Sequence, residues 1–266
     1  MKGATIMPDI SKMEKPARRV LNVFYILDTS GSMSGTSIAT LNRAMEETID
    51  ALKKQAKSNA DALVKVSVMQ FSTGCSWLQP DGPEELDEDF IWEDLQAGGL
   101  TDMGEALSEL NKRLSRKEYL NSITGNYLPV IIFMTDGYAT DDYDKPLARI
   151  RQNKWFRRAT KIGFAIGDDP DMQMICEVVG NNEAVVRTTD LQLFAKLIKF
   201  ASLTSSMLAS KSQTTDTGTS GASIIQSAIQ SGDAPADIID TDVDYDPEPE
   251  PTASGSNSEW DDDDEW

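Results

Sequence analysis

Histidine is absent from this 266-residue chain. That excludes Ser-His-Asp and Cys-His nucleophiles, His-ligated zinc and imidazole acid–base chemistry. Any catalysis would run on carboxylates, Lys, Tyr or a metal. Cysteine is almost absent. Cys75 and Cys176 are far apart, form no CxxC pair and are expected to be buried free thiols of a reducing compartment. No stretch approaches the roughly 18 consecutive apolar residues of a membrane helix. The opening MKGATIMPDISKMEKPARR lacks the apolar core of a secretory leader. The expected location is cytoplasmic, with no membrane contact. Basic residues are scarce where acidic ones are dense. Residues 211–266 hold 15 of the 44 acids and one of the 25 bases, a net −14, which leaves −5 for residues 1–210. Such a tail repels phosphates and argues against a nucleic-acid partner.

What is present is an alternation of short apolar runs and amphipathic stretches over about 19–207. Residues 20–27 are continuously apolar except for Asn22, the pattern of a strand buried on both faces. Ile38, Leu41, Met45, Ile49 and Leu52 recur at helical steps. Val64, Val66 and Val68 alternate as a second strand, and residues 75–78 read as a short antiparallel edge strand. Residues 90–95 are ambiguous between strand and helical turn. Met103, Ala106, Leu107, Leu110 and Leu114 mark a second helix, and 128–134 a further buried strand. A basic helical stretch (145–158), a strand (162–166), a short helix (175–179), a last strand (184–187) and a closing helix (191–201) follow. This order predicts an α/β fold: a doubly wound, mostly parallel central sheet flanked by helices, with one short antiparallel edge strand. The expected domains are an N-terminal arm (1–18), one α/β domain (19–210) and a disordered acidic C-terminal tail (211–266). The tail is too poor in bulky apolar residues to offset its ordering entropy, and only a marginal helix over 224–229 fits within it.

The strongest local signal is Asp28-Thr29-Ser30-Gly31-Ser32, where the first buried strand runs out. Parallel α/β sheets bind ligands outside the carboxyl ends of their strands. A carboxylate and two hydroxyls on one tight turn can converge on a hard cation, and an oxygen-only set suits Mg²⁺ or Mn²⁺. The same residues are also ordinary turn and capping types. Two further clusters shift the balance. Thr101 lies in Gly98-Gly99-Leu100-Thr101-Asp102-Met103-Gly104 before the second helix, and Asp136 lies in Met134-Thr135-Asp136-Gly137 after a buried strand.

DTSGSM, GGLTDMGEAL and MTDG resemble the three parts of the metal-ion-dependent adhesion site of von Willebrand factor A domains. The flanks FYILDTSGSMSGTSIATLNRAM and VIIFMTDGYATDD resemble bacterial A-domain proteins associated with tellurite resistance (TerY-like), a likeness that covers about 19–208. It implies that Ser30 and Ser32 ligate the cation directly and that Thr101 does so directly or through water. Asp28 and Asp136 would act mainly through bound water or hydrogen bonds, and a partner protein would supply an Asp or Glu to the open position. Protein kinases or phosphatases are implied company. The commoner loop reads GGT; here Leu100 separates Gly99 from Thr101, which predicts a local bulge.

Three function classes stay open: a metal-dependent adaptor or scaffold in a stress-response or phosphosignalling complex, which is not an enzyme; a metal-dependent phosphohydrolase with Asp28 as nucleophile; and a subunit of a larger ATP-driven machine. The three metal motifs contain no Lys or Arg to stabilise a transferring phosphoryl group, and the chain has no GxxxxGK[ST] loop. Trp260 and Trp266 flank DDDDE at the chain end and are candidate partner-binding anchors. The tail can recruit a partner, block the metal in cis, or solubilise. Asp141, Asp142 and Asp144 read as helix-starting acids.

Overall fold

The computed structural model describes residues 18–211 and 220–233. At its centre lies β1 (Arg19–Asp28), buried throughout except at Arg19. Its side chains alternate between two layers. Leu21, Val23, Tyr25 and Leu27 face one apolar cluster, and Phe24 and Ile26 face the other. The chain continues through α1 (Thr36–Ser58), β2 (Ala62–Ser72), β3 (Gly74–Trp77) and β4 (Glu84–Glu85). After a long connection come α2 (Met103–Arg113), β5 (Val130–Thr135), α3 (Asp144–Ile150) and α4 (Lys154–Arg158). Then follow β6 (Thr160–Ile166), α5 (Met172–Val179), β7 (Val185–Thr188), α6 (Leu191–Lys211) and α7 (Gly221–Ser231).

The sheet order is β3-β2-β1-β5-β6-β7, with β4 also on the outer edge of β2. The strands β1, β2, β5, β6 and β7 run parallel, while β3 and β4 pair antiparallel to β2. Both faces are covered, as parallel sheets require. The α1, α6 and α7 side chains fill one layer, and α2, α3, α4 and α5 fill the other. The chain steps from β1 to β2 on one side and later returns to place β5 on the other. The order of strands therefore reverses at β1, which opens a crevice beyond the carboxyl ends of β1 and β5.

The doubly wound architecture and the antiparallel edge strand agree with the pattern read from sequence; four details differ. Residues 90–95 form neither strand nor helix. Asn42 of α1 holds them instead, its amide donating to Leu95 O (2.9 Å) and accepting from Leu95 N (2.8 Å). The basic stretch is two short helices, because the Asn153 side chain accepts from Trp155 N and Phe156 N and starts a new one. Cys176 is buried and Cys75 only half-buried, both free thiols.

The fourth concerns residues 220–233 of the acidic tail, which are folded onto the domain. The helix α7 lies inside it, with Ile224, Ile225 and Ala228 fully buried in the α1–α6 layer. The marginal helix that the sequence allowed over 224–229 is an 11-residue amphipathic segment that finds its partners in the folded domain. Residues 1–17, 212–219 and 234–266, with Trp260 and Trp266, lie outside the described residues. Among the described residues no helix is long and apolar enough to cross a membrane.

Candidate metal centre

Three loops meet at the crevice between β1 and β5. The first follows β1. Asp28, the last strand residue, is fully buried, and one carboxylate oxygen accepts from Ser30 N (2.7 Å). Its other oxygen accepts from Thr135 Oγ1 (2.6 Å) at the end of β5. Thr135 is thus the residue that orients Asp28, and sequence reasoning gave it no role. Ser30 Oγ lies 2.9 Å from Ser32 Oγ, and Ser32 Oγ donates to Asp136 Oδ1 (2.7 Å). A serine hydroxyl has one proton. With that of Ser32 given to Asp136, Ser30 is the donor to Ser32. The result is one polar chain, Ser30 to Ser32 to Asp136.

The second loop is held to the first by backbone bonds. Gly98 N donates to Thr29 O (2.8 Å) and Gly31 N to Gly99 O (3.1 Å). A Cβ on Gly31 would stand 3.3 Å from Gly99 O, so the two turns pack backbone on backbone. The extra residue of this loop is absorbed at Gly99. Its φ is +85°, a conformation only glycine adopts cheaply, and a Cβ there would come within 2.7 Å of Thr73 Oγ1. Leu100 then points outward, about half exposed, its N–H donating to Thr73 Oγ1 (3.1 Å).

The third loop is sewn to the second. Thr101 N donates to Thr140 Oγ1 (2.9 Å), Thr140 N to Thr101 O (2.9 Å), and Thr140 Oγ1 to Asp102 Oδ1 (3.1 Å). Asp141 accepts from Gly104 N (2.9 Å) and Glu105 N (3.0 Å), capping the start of α2. Acid at a helix start was the expectation, but Asp141 caps the helix before it in sequence, not α3. Gly104 permits this approach: a Cβ there would lie 2.6 Å from Asp142 O. The Thr101 hydroxyl itself takes no hydrogen bond among the described residues. The parts that Thr140, Asp141 and Gly104 play in joining the loops were missed because their partners are about 40 residues away; the only sequence trace is the short polar triplet Thr140-Asp141-Asp142.

The electrostatics favour a cation. Burial pushes the Asp28 carboxyl above the usual carboxylate range, against the hydrogen bonds of Thr135 and Ser30, and the nearby Asp136 charge adds to the rise. Burial also raises Asp136, against its bond from Ser32. No Lys or Arg lies in the loops that follow β1, β5, β6 and β7, or in residues 90–102. Two desolvated carboxylates without a basic partner are costly, and a divalent cation would offset that cost. The donors are hydroxyls and carboxylates only, which fits a hard cation. Among the described residues no three His, Cys, Asp or Glu side chains gather as a metal-holding group, so the hydroxyls are integral to this set.

A model of the von Willebrand factor type A domain matches residues 22–200. The chain belongs to that family. Among solved structures, the fold is similar to a von Willebrand factor type A protein from Catenulispora acidiphila (TM-score 0.55, 20% identity, 72% of this chain and 43% of that one). It is also similar to proximal thread matrix protein 1 from the mussel byssus, whose metal-ion-dependent adhesion motif holds zinc (0.51, 12%, 70% and 46%). A third is the pilus adhesin SpaC from Lactobacillus rhamnosus GG (0.53, 10%, 71% and 30%). This A domain spans less than half the length of each of these three proteins. No curated protein matches the chain.

Proposed function

We propose that this A domain is a divalent-cation-dependent protein-binding module acting as an adaptor, and not an enzyme. The observation that supports it is the Ser30–Ser32–Asp136 chain standing beside the buried, Thr135-oriented Asp28. Ser30, Ser32 and Thr101 would hold Mg²⁺ or Mn²⁺, with Asp28 and Asp136 orienting the set. The bound cation supplies a Lewis-acidic centre for an Asp or Glu of the partner. Neutral hydroxyl ligands leave the ion's charge largely uncompensated, so it attracts an external carboxylate. Leu100 and Tyr138, both exposed, belong to the loops that carry Thr101 and Asp136 and would give the partner apolar contact around the charged centre. The loops offer no basic group to a transferring phosphoryl, which weighs against the phosphohydrolase.

The narrower reading places this adaptor in the cytoplasm, in a tellurite or stress-response complex, beside a protein kinase or phosphatase. It rests on the flanks of the first and third motifs. The zinc of the mussel relative makes metal identity part of the test. Full-length protein is used to capture partners from host lysate with Mg²⁺, Mn²⁺, Zn²⁺ or EDTA, and the Asp28→Ala/Ser30→Ala variant is run beside it. A partner retained with Mg²⁺ or Mn²⁺ and lost with EDTA and in the variant supports the module. A set of partners indifferent to metal and mutation rejects it.

A further inference from the structure

On the α2–α4 side of the domain the two ends of the sheet differ in charge. At the carboxyl end of the strands the connecting loops hold Asp102, Asp136, Asp141, Asp142, Asp168, Asp169 and Asp190, without a Lys or Arg. At the other end the helices α2, α3 and α4 finish in basic residues. Residues 145–161 contain seven Lys and Arg and no acid. The Asn153 amide donates to Leu114 O (3.0 Å) and Asn111 Oδ1 (3.0 Å), which sets the start of α4 against the end of α2. One continuous face therefore carries Lys112, Arg116, Lys117, Lys154, Arg157 and Arg158, all exposed but the half-buried Arg158. Arg113 lies beside it, 2.7 Å from both Glu109 and Glu118, and Lys112 Nζ lies 3.7 Å from Glu109 Oε2.

We propose that the acidic segment 234–266 of the same chain docks on this basic face, away from the metal centre. The segment holds 13 Asp and Glu and no Lys or Arg. It leaves the domain after α7, near Lys196, whose Nζ lies 3.8 Å from Asp233 Oδ1. As an extended chain of 33 residues it spans up to roughly 110 Å, and as a coil about 30 Å, so either end of the sheet is within reach. Charge decides between them. The carboxyl end already concentrates aspartates, and further carboxylates there are repelled. The basic face offers many opposite charges to one multivalent strip, so that individually weak exposed pairs sum through a high effective concentration. Trp260 and Trp266, within that strip, supply apolar contact beside the charge. The tail then neutralises the base of the domain and leaves the metal centre open.

Zero-length carbodiimide cross-linking of the full-length protein tests this, since it joins a carboxylate to a lysine amine in contact. Equal ¹⁴N and ¹⁵N protein is mixed, so that links within a chain are told from links between chains. The expected map joins acids of 237–265 to Lys112, Lys117 and Lys154 within one chain. It fades at about 1 M salt, where the Debye length falls to ~3 Å. Lys154→Glu/Arg157→Glu, a substitution of exposed residues checked for native circular dichroism, should cut the surviving links to Lys112 and Lys117 at least severalfold. Links between chains only, links as dense on Lys53, Lys54 and Lys65 as on the basic face, or a map unchanged by salt and by the double substitution would each overturn the proposal.

Discussion

The seat of α7 rests on one glycine, and the smallest possible side chain probes it. At Gly221 a Cβ would stand 1.9 Å from the carbonyl oxygen of Lys161 in β6 and 3.0 Å from the Ala184 Cβ. The obstacle is backbone inside the sheet, so it cannot swing away, and α7 has to retreat by more than an ångström. Ile224 and Ile225 lie a turn further on, 0% and 1% exposed, and retreat lifts them from the α1–α6 layer. Full burial of an isoleucine contributes roughly 1.5–3 kcal/mol, so complete undocking forfeits about 3–6 kcal/mol from the pair. The helical preference of alanine over glycine returns at most about 1 kcal/mol. Steric exclusion wins, and because the helix can slide before it detaches, Gly221→Ala is expected to lower stability by about 1–3 kcal/mol. Two readouts check it: the urea midpoint, and amide exchange of 222–231, which should accelerate while β1 and β5 stay protected. The exposed Gln226→Ala is the matched control and should move stability by less than about 0.5 kcal/mol. Wild-type exchange and midpoint in Gly221→Ala would refute the seating of α7 described above.

Metal removal gives a second prediction. A ligand at about 100 times its Kd stabilises the folded state by about 2.7 kcal/mol. The protein should therefore melt higher in saturating Mg²⁺ or Mn²⁺ than in EDTA, and Ser30→Ala/Ser32→Ala should erase the difference; identical melting in both states of the wild type sinks the metal centre. Thr135→Val removes the hydroxyl that donates to Asp28, a loss of about 1.5–3 kcal/mol when the acceptor is charged. The Asp28 carboxyl, already raised by burial, rises further. A raised acid is protonated in both folded and unfolded forms below the ordinary carboxylate range and carries its penalty only above it. The deficit in urea midpoint should then be large at neutral pH and shrink towards about pH 4, whereas a deficit that grows on acidification contradicts the assignment. Burial first, then the charges of Glu105, Glu109 and Asp102, push the Cys75 thiol up to about 12. Its alkylation at mildly alkaline pH should be at least about 100-fold slower in the native protein than in urea, because the thiolate is the reactive form; mass spectrometry of the labelled peptide reads this directly, and comparable rates would contradict it.

What sequence alone conveyed was the periodic and the local. The strands β1 and β5 announce themselves as continuous apolar runs, α1 and α2 as helical stripes, and the order of these elements already implies a parallel sheet with a switch point. The first and third loop motifs could be placed at strand ends, and the second before a helix, for the same reason. What it did not convey depends on contacts between distant segments. Residues 90–95 have no pattern of their own because side chains outside them hold their two ends, Asp87 and Lys53 at Phe90 and Asn42 of α1 at Leu95. The helix α7 is short, polar on one side and set in a strongly acidic neighbourhood. Only the α1–α6 layer makes its two isoleucines worth burying, and only a glycine lets it in beside Lys161 and Ala184.

The same distinction explains the metal centre. Ser32 reaches Asp136 because β1 and β5 are hydrogen-bonded neighbours in a parallel sheet, about 4.8 Å apart, so their carboxyl ends deliver two loops side by side. Loop composition names the donors, but it does not set their positions. Those come from the Thr135 bond across the two strands, the Gly98 and Gly31 backbone bonds between the first two loops, and the Thr140 and Asp141 bonds between the last two. These ties fall on three different pairs of loops or strands, so those of one pair do not replace those of another. A substitution that leaves all five donors intact but weakens one of these ties, such as Asp141→Ala, should loosen the set, though less than removing a donor does, because the Thr101 and Thr140 bonds still join the same two loops.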